Sequence, residues 1–93
     1  MVFYRSRTEI AARILQVASD HNEINKTKIM YATFLSYKHL QRYLAILIEG
    51  ELLEYLEGTK SYRTTEKGLK FLKIYEKMEE LMTERNLPKV QNK

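Results

Sequence analysis

The stretch LSYKHLQRYLAILIEGELLEYLEG, residues 35–58, contains a predicted helix, its stop and the beginning of a strand. Its apolar residues recur three and four positions apart: Leu40, Tyr43, Leu44 and Leu47. This spacing predicts a helix from about Ser36 to Glu49 with one buried face. Ser36 is a favourable N-cap residue, and Gly50 predicts a left-handed C-terminal stop. The stretch therefore predicts the third helix of a small helical domain.

The other face of this helix carries flat and cationic side chains near its N-terminus: Tyr37, Lys38, Gln41 and Arg42. A helix of this kind fits the DNA major groove, about 12 Å wide, and presents its first turns to base edges. Lys38 and Arg42 can contact phosphates or guanine, and Gln41 can pair with adenine or contact a phosphate. The alternative is that this face is an ordinary solvated surface.

Two shorter helices are predicted before this one. Ser6 and Glu9 fit a capping box that opens the first helix, and the polar run 20–22 ends it. The second helix is expected over about 25–32, with an asparagine or threonine cap. Its apolar side is assigned to three residues: Ile29, Met30 and Phe34. Tyr31 is also expected to be packed. A tight turn then leads into the third helix.

A small hairpin is predicted after the third helix. Its strands cover about 52–57 and 61–64, with a turn at 58–60 between them. Lys60 and Arg63 give this hairpin a basic tip and return strand. The tip is therefore a candidate for contact with the DNA backbone or minor groove.

The last helix is expected to run from about residue 65 to 86, about 33 Å at ~1.5 Å per residue. One apolar stripe follows the a/d spacing of a coiled coil: Phe71, Ile74, Met78 and Leu81. A neighbouring stripe consists of three residues: Leu72, Tyr75 and Met82. Two stripes predict two partners, the body of the domain and a second copy of the helix. The a/d stripe could instead pack wholly on its own domain.

The composition narrows the class of protein. A chain of 93 residues is one domain with one core. It has no cysteine, which excludes disulfides and thiolate metal sites, and His21 and His39 lack ligand spacing to acidic pairs. There is no phosphate-binding glycine loop or catalytic motif, so we expect no enzyme, cofactor, metal or small-molecule ligand. No apolar run is long enough to span a membrane, and a cytoplasmic location is expected.

Charge is unevenly distributed along the chain, whose net charge is +4. Residues 1–48 hold seven Lys/Arg and three Asp/Glu, and residues 58–77 hold six and two. Between these basic blocks lies an acidic strip: Glu49, Glu51, Glu54 and Glu57. If the fold joins the two basic blocks, they form one electropositive face suited to nucleic acid.

The predicted order is helix, helix, helix, hairpin, helix, which is that of a winged helix-turn-helix. The stretch KTKIMYATFLSYKHLQRYLAILIEGELLEYLEG, followed by YRTTEKG and an amphipathic helix, resembles the small archaeal Sso-ten-a DNA-binding proteins over about residues 8–82. That resemblance implies double-stranded DNA binding and a homodimer through an antiparallel coiled coil of the last helix. It implies recognition-helix contacts at Ser36, Tyr37, Lys38, Gln41 and Arg42. It implies a wing contact at Lys60 and coil contacts at Phe71, Ile74, Met78 and Leu81.

The expected architecture is mainly α with a small β-hairpin. A winged helix-turn-helix domain should cover 1–64, a dimerisation helix 65–86 and a frayed tail 87–93. The expected function is double-stranded DNA binding, as a nucleoid-associated transcription regulator or chromatin-organising protein, with Lys28 among the phosphate contacts. The alternative is a protein-interaction module without DNA binding, in which the coil stripe and the acidic strip are the working surfaces.

Overall fold

The computed structural model describes Tyr4 and residues 6–86, and the predicted tail at 87–93 lies outside the described residues. Six elements follow one another: α1 Arg7–His21, α2 Lys26–Thr33, α3 Tyr37–Glu49, β1 Leu53–Leu56, β2 Ser61–Thr64 and α4 Glu66–Asn86. The predicted order of three helices, a hairpin and a long helix is therefore confirmed. The first strand is one residue shorter at each end than expected.

Each helix begins at a polar side chain that satisfies an otherwise unpaired amide. Four side-chain oxygens accept a hydrogen bond from the amide three positions further on: Ser6 at 3.1 Å, Asn25 at 2.9 Å, Ser36 at 3.2 Å and Thr65 at 3.0 Å. The first amides of a helix have no partner inside the helix, so such caps set where the helix begins. The predicted starts are confirmed for this reason.

The predicted left-handed stop at Gly50 is wrong, because Gly50 has right-handed angles, φ −79° and ψ −1°. The left-handed residue is Glu51, at φ 64°. The amide of Glu51 donates to the Ile48 carbonyl at 3.0 Å and that of Leu52 to the Leu47 carbonyl at 2.9 Å. This pair of bonds is the Schellman arrangement, in which the residue after the C-cap takes the left-handed conformation. The helix thus continues through Gly50 before it turns.

The core lies where α1 packs against α2, α4 and the hairpin. The buried stripe of α3 is confirmed for Leu40, Leu44 and Leu47, with Tyr43 half-buried beside them. The other main core residues come from α1, the loop before α2, α2 and the hairpin: Ile14, Leu15, Val17, Ala18, Ile24, Ile29, Leu53 and Tyr62. These stripes recur at helical spacing, so the periodicity in the sequence already marked most of this core.

The expected packing of Tyr31 and Phe34 is wrong, because both side chains are largely exposed. Phe34 is the C-cap of α2 and has left-handed angles, which turn its ring away from the core. The fully buried side chain there is Thr33, whose hydroxyl donates to the Ile29 carbonyl at 2.8 Å. A threonine whose hydroxyl donates to a carbonyl of the preceding turn can be buried without leaving a polar group unpaired.

The hairpin is antiparallel, and its register pairs Leu53 with Thr64 and Leu56 with Ser61. Residue Ile24, in the loop before α2, adds a third short pairing. Its amide donates to the Tyr62 carbonyl at 3.0 Å, and its carbonyl accepts from the Tyr62 amide at 2.8 Å. The hairpin is therefore tied by backbone bonds to the loop that leads into α2, and its position beside the helix pair is set.

Candidate nucleic-acid interface

The first two turns of α3 form the centre of the candidate interface. All five predicted contact positions there are exposed: Ser36, Tyr37, Lys38, Gln41 and Arg42. Lys38 and Arg42 lie one helical turn apart, and with His39 they line one concave surface of about 420 Å³. The Ser36 hydroxyl is engaged as the helix cap, so its role at the surface is to hold the helix start.

Lys26, at the beginning of α2, organises the same turns of α3 and was missed by sequence reasoning. Its ammonium group donates to the Gln41 side-chain oxygen. It also lies 5.2 Å from the centroid of the Tyr37 ring, within cation–π range. Gln41 would have to release Lys26 before its amide could pair bidentately with adenine. Nothing in the spacing of residues fifteen positions apart signals this contact.

The wing tip is fastened to the loop before α2. The hydroxyls of Thr59 and Ser61 lie 2.6 Å apart, and each is a donor to the Glu23 carboxylate, at 3.2 and 3.1 Å. Lys60, between them, is exposed and has a left-handed φ of 52°. The hydrogen bonds to Glu23 hold the tip in one position, so the backbone of the turn that carries the exposed Lys60 side chain is fixed.

The basic return strand expected of the hairpin is neutralised locally. Arg63 forms an ion pair with Glu54 across the two strands, with an N–O distance of 2.8 Å, and both side chains are nearly half exposed. An exposed pair of this kind contributes little to stability, typically below ~1 kcal/mol. It does, however, neutralise the charge of Arg63, so that among the described residues of the wing Lys60 is the exposed cation without an ion pair.

The structure brings the predicted cations together in two places. Lys38 and Arg42 share the concave surface on α3. Lys28 lies instead with Glu23, Thr59 and Ser61 around a second concavity, of about 260 Å³, between α2 and the wing. The candidate interface thus consists of Lys38 and Arg42 on α3 and a separate group of Lys28 and the wing, where Glu23 adds one negative charge.

Residues 24–48 form an acid-free segment, since they include four Lys/Arg and no Asp or Glu. The acidic strip begins directly afterwards, at Glu49 on the last turn of α3. Glu49, Glu51 and Glu57 are exposed. A polyanion would be repelled there, so the geometry confines the interface to the N-terminal half of α3.

The predicted coil stripe of α4 is divided between two environments. Phe71 is half-buried and packs against the core of its own domain. Ile74 and Leu81 are 69% and 52% exposed, and Met78 is exposed between them. The exposed apolar part of the stripe therefore begins at Ile74.

The start of α4 also contacts α3, because Lys67 donates to the Gly50 carbonyl at 2.9 Å and so holds the end of α3.

Within Tyr4 and residues 6–86, no group of three or more His, Asp or Glu side chains could hold a metal ion. Within the same residues, no helix combines the length and the apolar character that crossing a bilayer requires.

Comparison with known proteins agrees with the fold. The crystal structure of Sso10a-2, a DNA-binding protein from Sulfolobus solfataricus, matches with a TM-score of 0.75 and 23% identity, over 88% of this chain and 86% of that one. A search of curated proteins gave no match. The winged helix-turn-helix family model matches residues 4–83. The resemblance found in the sequence is thus confirmed, and the chain belongs to the winged helix-turn-helix family.

Proposed function

We propose that this protein binds double-stranded DNA by placing the N-terminal half of α3 in the major groove. The observation that carries the proposal is the acid-free segment 24–48, in which the exposed Lys38 and Arg42 lie on the first turns of α3 and Lys26 contacts the same turns. The DNA binding of Sso10a-2, which has the same fold, supports it. The function is one of binding rather than catalysis.

The proposed contacts follow from the positions of the side chains. Lys38 and Arg42 meet phosphates or guanine acceptors, and the free amides at the start of α3 add a further phosphate site. Tyr37 lies against a sugar or a thymine methyl group, and Gln41 reads a base after it leaves Lys26. Lys28 and Lys60 contact the flanking backbone. Affinity then depends on salt, because each neutralised phosphate releases counterions.

We also propose a homodimer through α4, with Phe71, Ile74, Met78 and Leu81 at the antiparallel contact. The exposed apolar side chains beyond Phe71 support it, because monomers seldom leave such a stripe in water. The antiparallel direction is the one that the resemblance to the small archaeal DNA-binding proteins implies.

This arrangement divides the chain into a reading unit at 1–64 and a dimerisation helix at 65–86. A dimer carries two DNA-binding domains, which suits either a transcription regulator or a chromatin-organising protein. In either role the protein would be associated with the nucleoid in the cytoplasm. The two roles differ in sequence preference, so selection from random duplexes distinguishes them. A regulator enriches one site, and a chromatin protein enriches none.

Fluorescence anisotropy with a duplex of about 25 base pairs, at two salt concentrations, tests the DNA site. The change is Lys38→Ala with Arg42→Ala, and the matched control is Lys70→Ala with Lys77→Ala, which removes the same charge from α4. We expect the α3 pair to lower affinity and to reduce the log–log salt slope by up to ~2, at ~0.9 per phosphate. The control pair should stay within twofold of wild type.

An α3 double variant that folds normally and binds as tightly as wild type would refute the assigned face. Wild-type protein that shows no salt-sensitive duplex binding would instead favour the protein-interaction module, with α4 and the acidic strip as its surfaces.

Light scattering tests the dimer separately from DNA binding. The wild type should have twice the 11.1 kDa mass of one chain at tens of micromolar. Ile74→Lys with Leu81→Lys should return it to the mass of one chain, because a buried unpaired charge is costly at a helix contact. A wild type that has the mass of one chain would overturn the α4 dimer.

A further inference from the structure

Three exposed aromatic rings surround the turn between α2 and α3. Tyr31 and Phe34 are each 71% exposed, and Tyr37 is 57% exposed. They are spaced three residues apart, on the last turn of α2, at its C-cap and at the start of α3. Aromatic rings release the most free energy when they are buried. Three of them at the surface of so small a domain are therefore not explained by folding.

Phe34 is the exposed ring that folding explains least, because its backbone is in a conformation that bulky residues avoid. Its angles are φ 61° and ψ 24°, in the left-handed region that glycine and asparagine occupy readily. The stop of α2 uses only the backbone of Phe34, whose amide donates to the Met30 carbonyl at 2.9 Å. The ring adds no core contact in return. A strained position with an exposed ring is a reason to look for a ligand.

The charge around the turn indicates which ligand. The turn lies within the acid-free segment 24–48. Lys28 is one helical turn before Tyr31 on the exposed side of α2. Lys26 holds its ammonium group over the Tyr37 ring. Rings that stack bases, with lysines beside them for phosphates, are the features by which proteins bind single strands. A duplex keeps its bases stacked and offers no faces to such rings.

We propose that the α2–α3 turn binds single-stranded nucleic acid, with Tyr31 and Phe34 stacking on unpaired bases and Lys28 contacting the phosphates. The surface adjoins the duplex-reading face and goes beyond the duplex binding proposed above, on which it does not depend. It would let the protein hold a strand that has been separated from its complement beside the α3 site.

The test replaces the two rings without changing the charge. Tyr31→Gln places a good helix former at an exposed position of α2, and Phe34→Asn fits the left-handed backbone at the end of that helix. Both variants, and the double variant, therefore keep the net charge of +4. The matched control is Tyr55→Thr, which removes a ring that is 44% exposed on β1, inside the acidic strip.

The probe is labelled oligo-dT of about 20 nucleotides, compared by anisotropy with a blunt-ended duplex and with oligo-rU of the same length. We expect each ring lost to weaken oligo-dT binding about fivefold or more, with duplex affinity within twofold of wild type. Tyrosine fluorescence of the wild type should be quenched by oligo-dT, and less so in Tyr31→Gln. The rU arm shows whether the natural strand is DNA or RNA.

Three results would overturn the proposal. Wild type that does not bind either oligonucleotide at low salt is one. Ring variants that bind oligo-dT like wild type, or like Tyr55→Thr, are another, and would leave the turn to a protein partner. Equal losses on single strand and duplex are the third, since they would assign the rings to the duplex. Ring-dependent oligo-dT binding without any duplex binding would uphold this proposal and refute the duplex function.

Discussion

Replacement of Gly68 by alanine should destabilise the protein, although it lies in the first turn of a helix where the same change normally helps. An alanine in place of glycine inside a helix is worth about 1 kcal/mol. Here the added Cβ would lie 2.2 Å from the Leu52 carbonyl oxygen and 2.7 Å from Cγ2 of Thr64. The first of these atoms is backbone, so it cannot rotate away, and α4 itself has to move.

The magnitude follows from what that movement disturbs. The Leu52 carbonyl also accepts from the Thr65 amide at 3.1 Å, directly before α4. Overpacking costs typically 1–3 kcal/mol, and a weakened hydrogen bond adds about 1 kcal/mol. Against a helical gain of about 1 kcal/mol, we expect a net loss of about 2 kcal/mol. At 4–8 °C per kcal/mol for a domain of this size, the Tm should fall by about 8–16 °C.

Thermal and urea unfolding, followed by circular dichroism, measure this loss. The control is Gly58→Ala in the turn of the wing, where an added Cβ meets no atom within 4 Å and φ is not positive. It should leave the Tm unchanged or raise it slightly, because alanine restricts the unfolded chain. A Tm for Gly68→Ala at or above that of wild type would show that the close approach of α4 to Leu52 is not as described.

Three further outcomes can be checked by the same unfolding measurements. Ser36→Ala removes the cap of α3 and should cost about 1 kcal/mol; no loss would mean that the cap is dispensable. Thr64→Val deletes the buried hydrogen bond from the Thr64 hydroxyl to the Leu15 carbonyl, 2.7 Å long, and should also cost about 1 kcal/mol; its comparison is Thr59→Val, which deletes an exposed hydrogen bond to Glu23 and should cost less. Burial raises the pKa of Tyr62 above its usual 10.0, while Lys26 opposes the shift. The folded state then holds that phenol proton more tightly than the unfolded chain, so this contribution is complete below pH 10 and is lost as the pH rises through the raised pKa. Tyr62→Phe should reduce the alkaline decline, and an identical decline would count against it.

The local features of this fold could be predicted from short windows of sequence. The caps at Ser6, Asn25 and Ser36 depend on one side chain and an amide three residues away. The buried stripes of α1 and α3 depend on a period of about 3.6 residues. Both are relations inside a single element, so the number and order of helices and strands followed from them, as did the exposed face of α3 with Lys38 and Arg42.

The stop of α3 and the packing at the end of α2 show where such windows fail. A glycine at position 50 suggested a left-handed residue, yet the turn places Glu51 there. Tyr31 and Phe34 were expected inside, but Thr33 fills that space. Hydrophobicity does not predict which side chain faces the core at the end of a helix, because the orientation of each side chain there depends on the backbone angles of the last turn.

The sequence by itself thus determined the elements, their caps and the cationic segment of this protein. The tertiary structure alone decided which groups meet: Lys26 with Gln41 and Tyr37, and Glu23 with the wing hydroxyls. It also decided that Gly68 must lack a side chain, because the carbonyl of Leu52, in the turn between α3 and β1, approaches it closely. Hydrogen bonds within a turn are set by neighbours in the chain, whereas charge pairing and close contact depend on residues that only folding brings within a few ångströms.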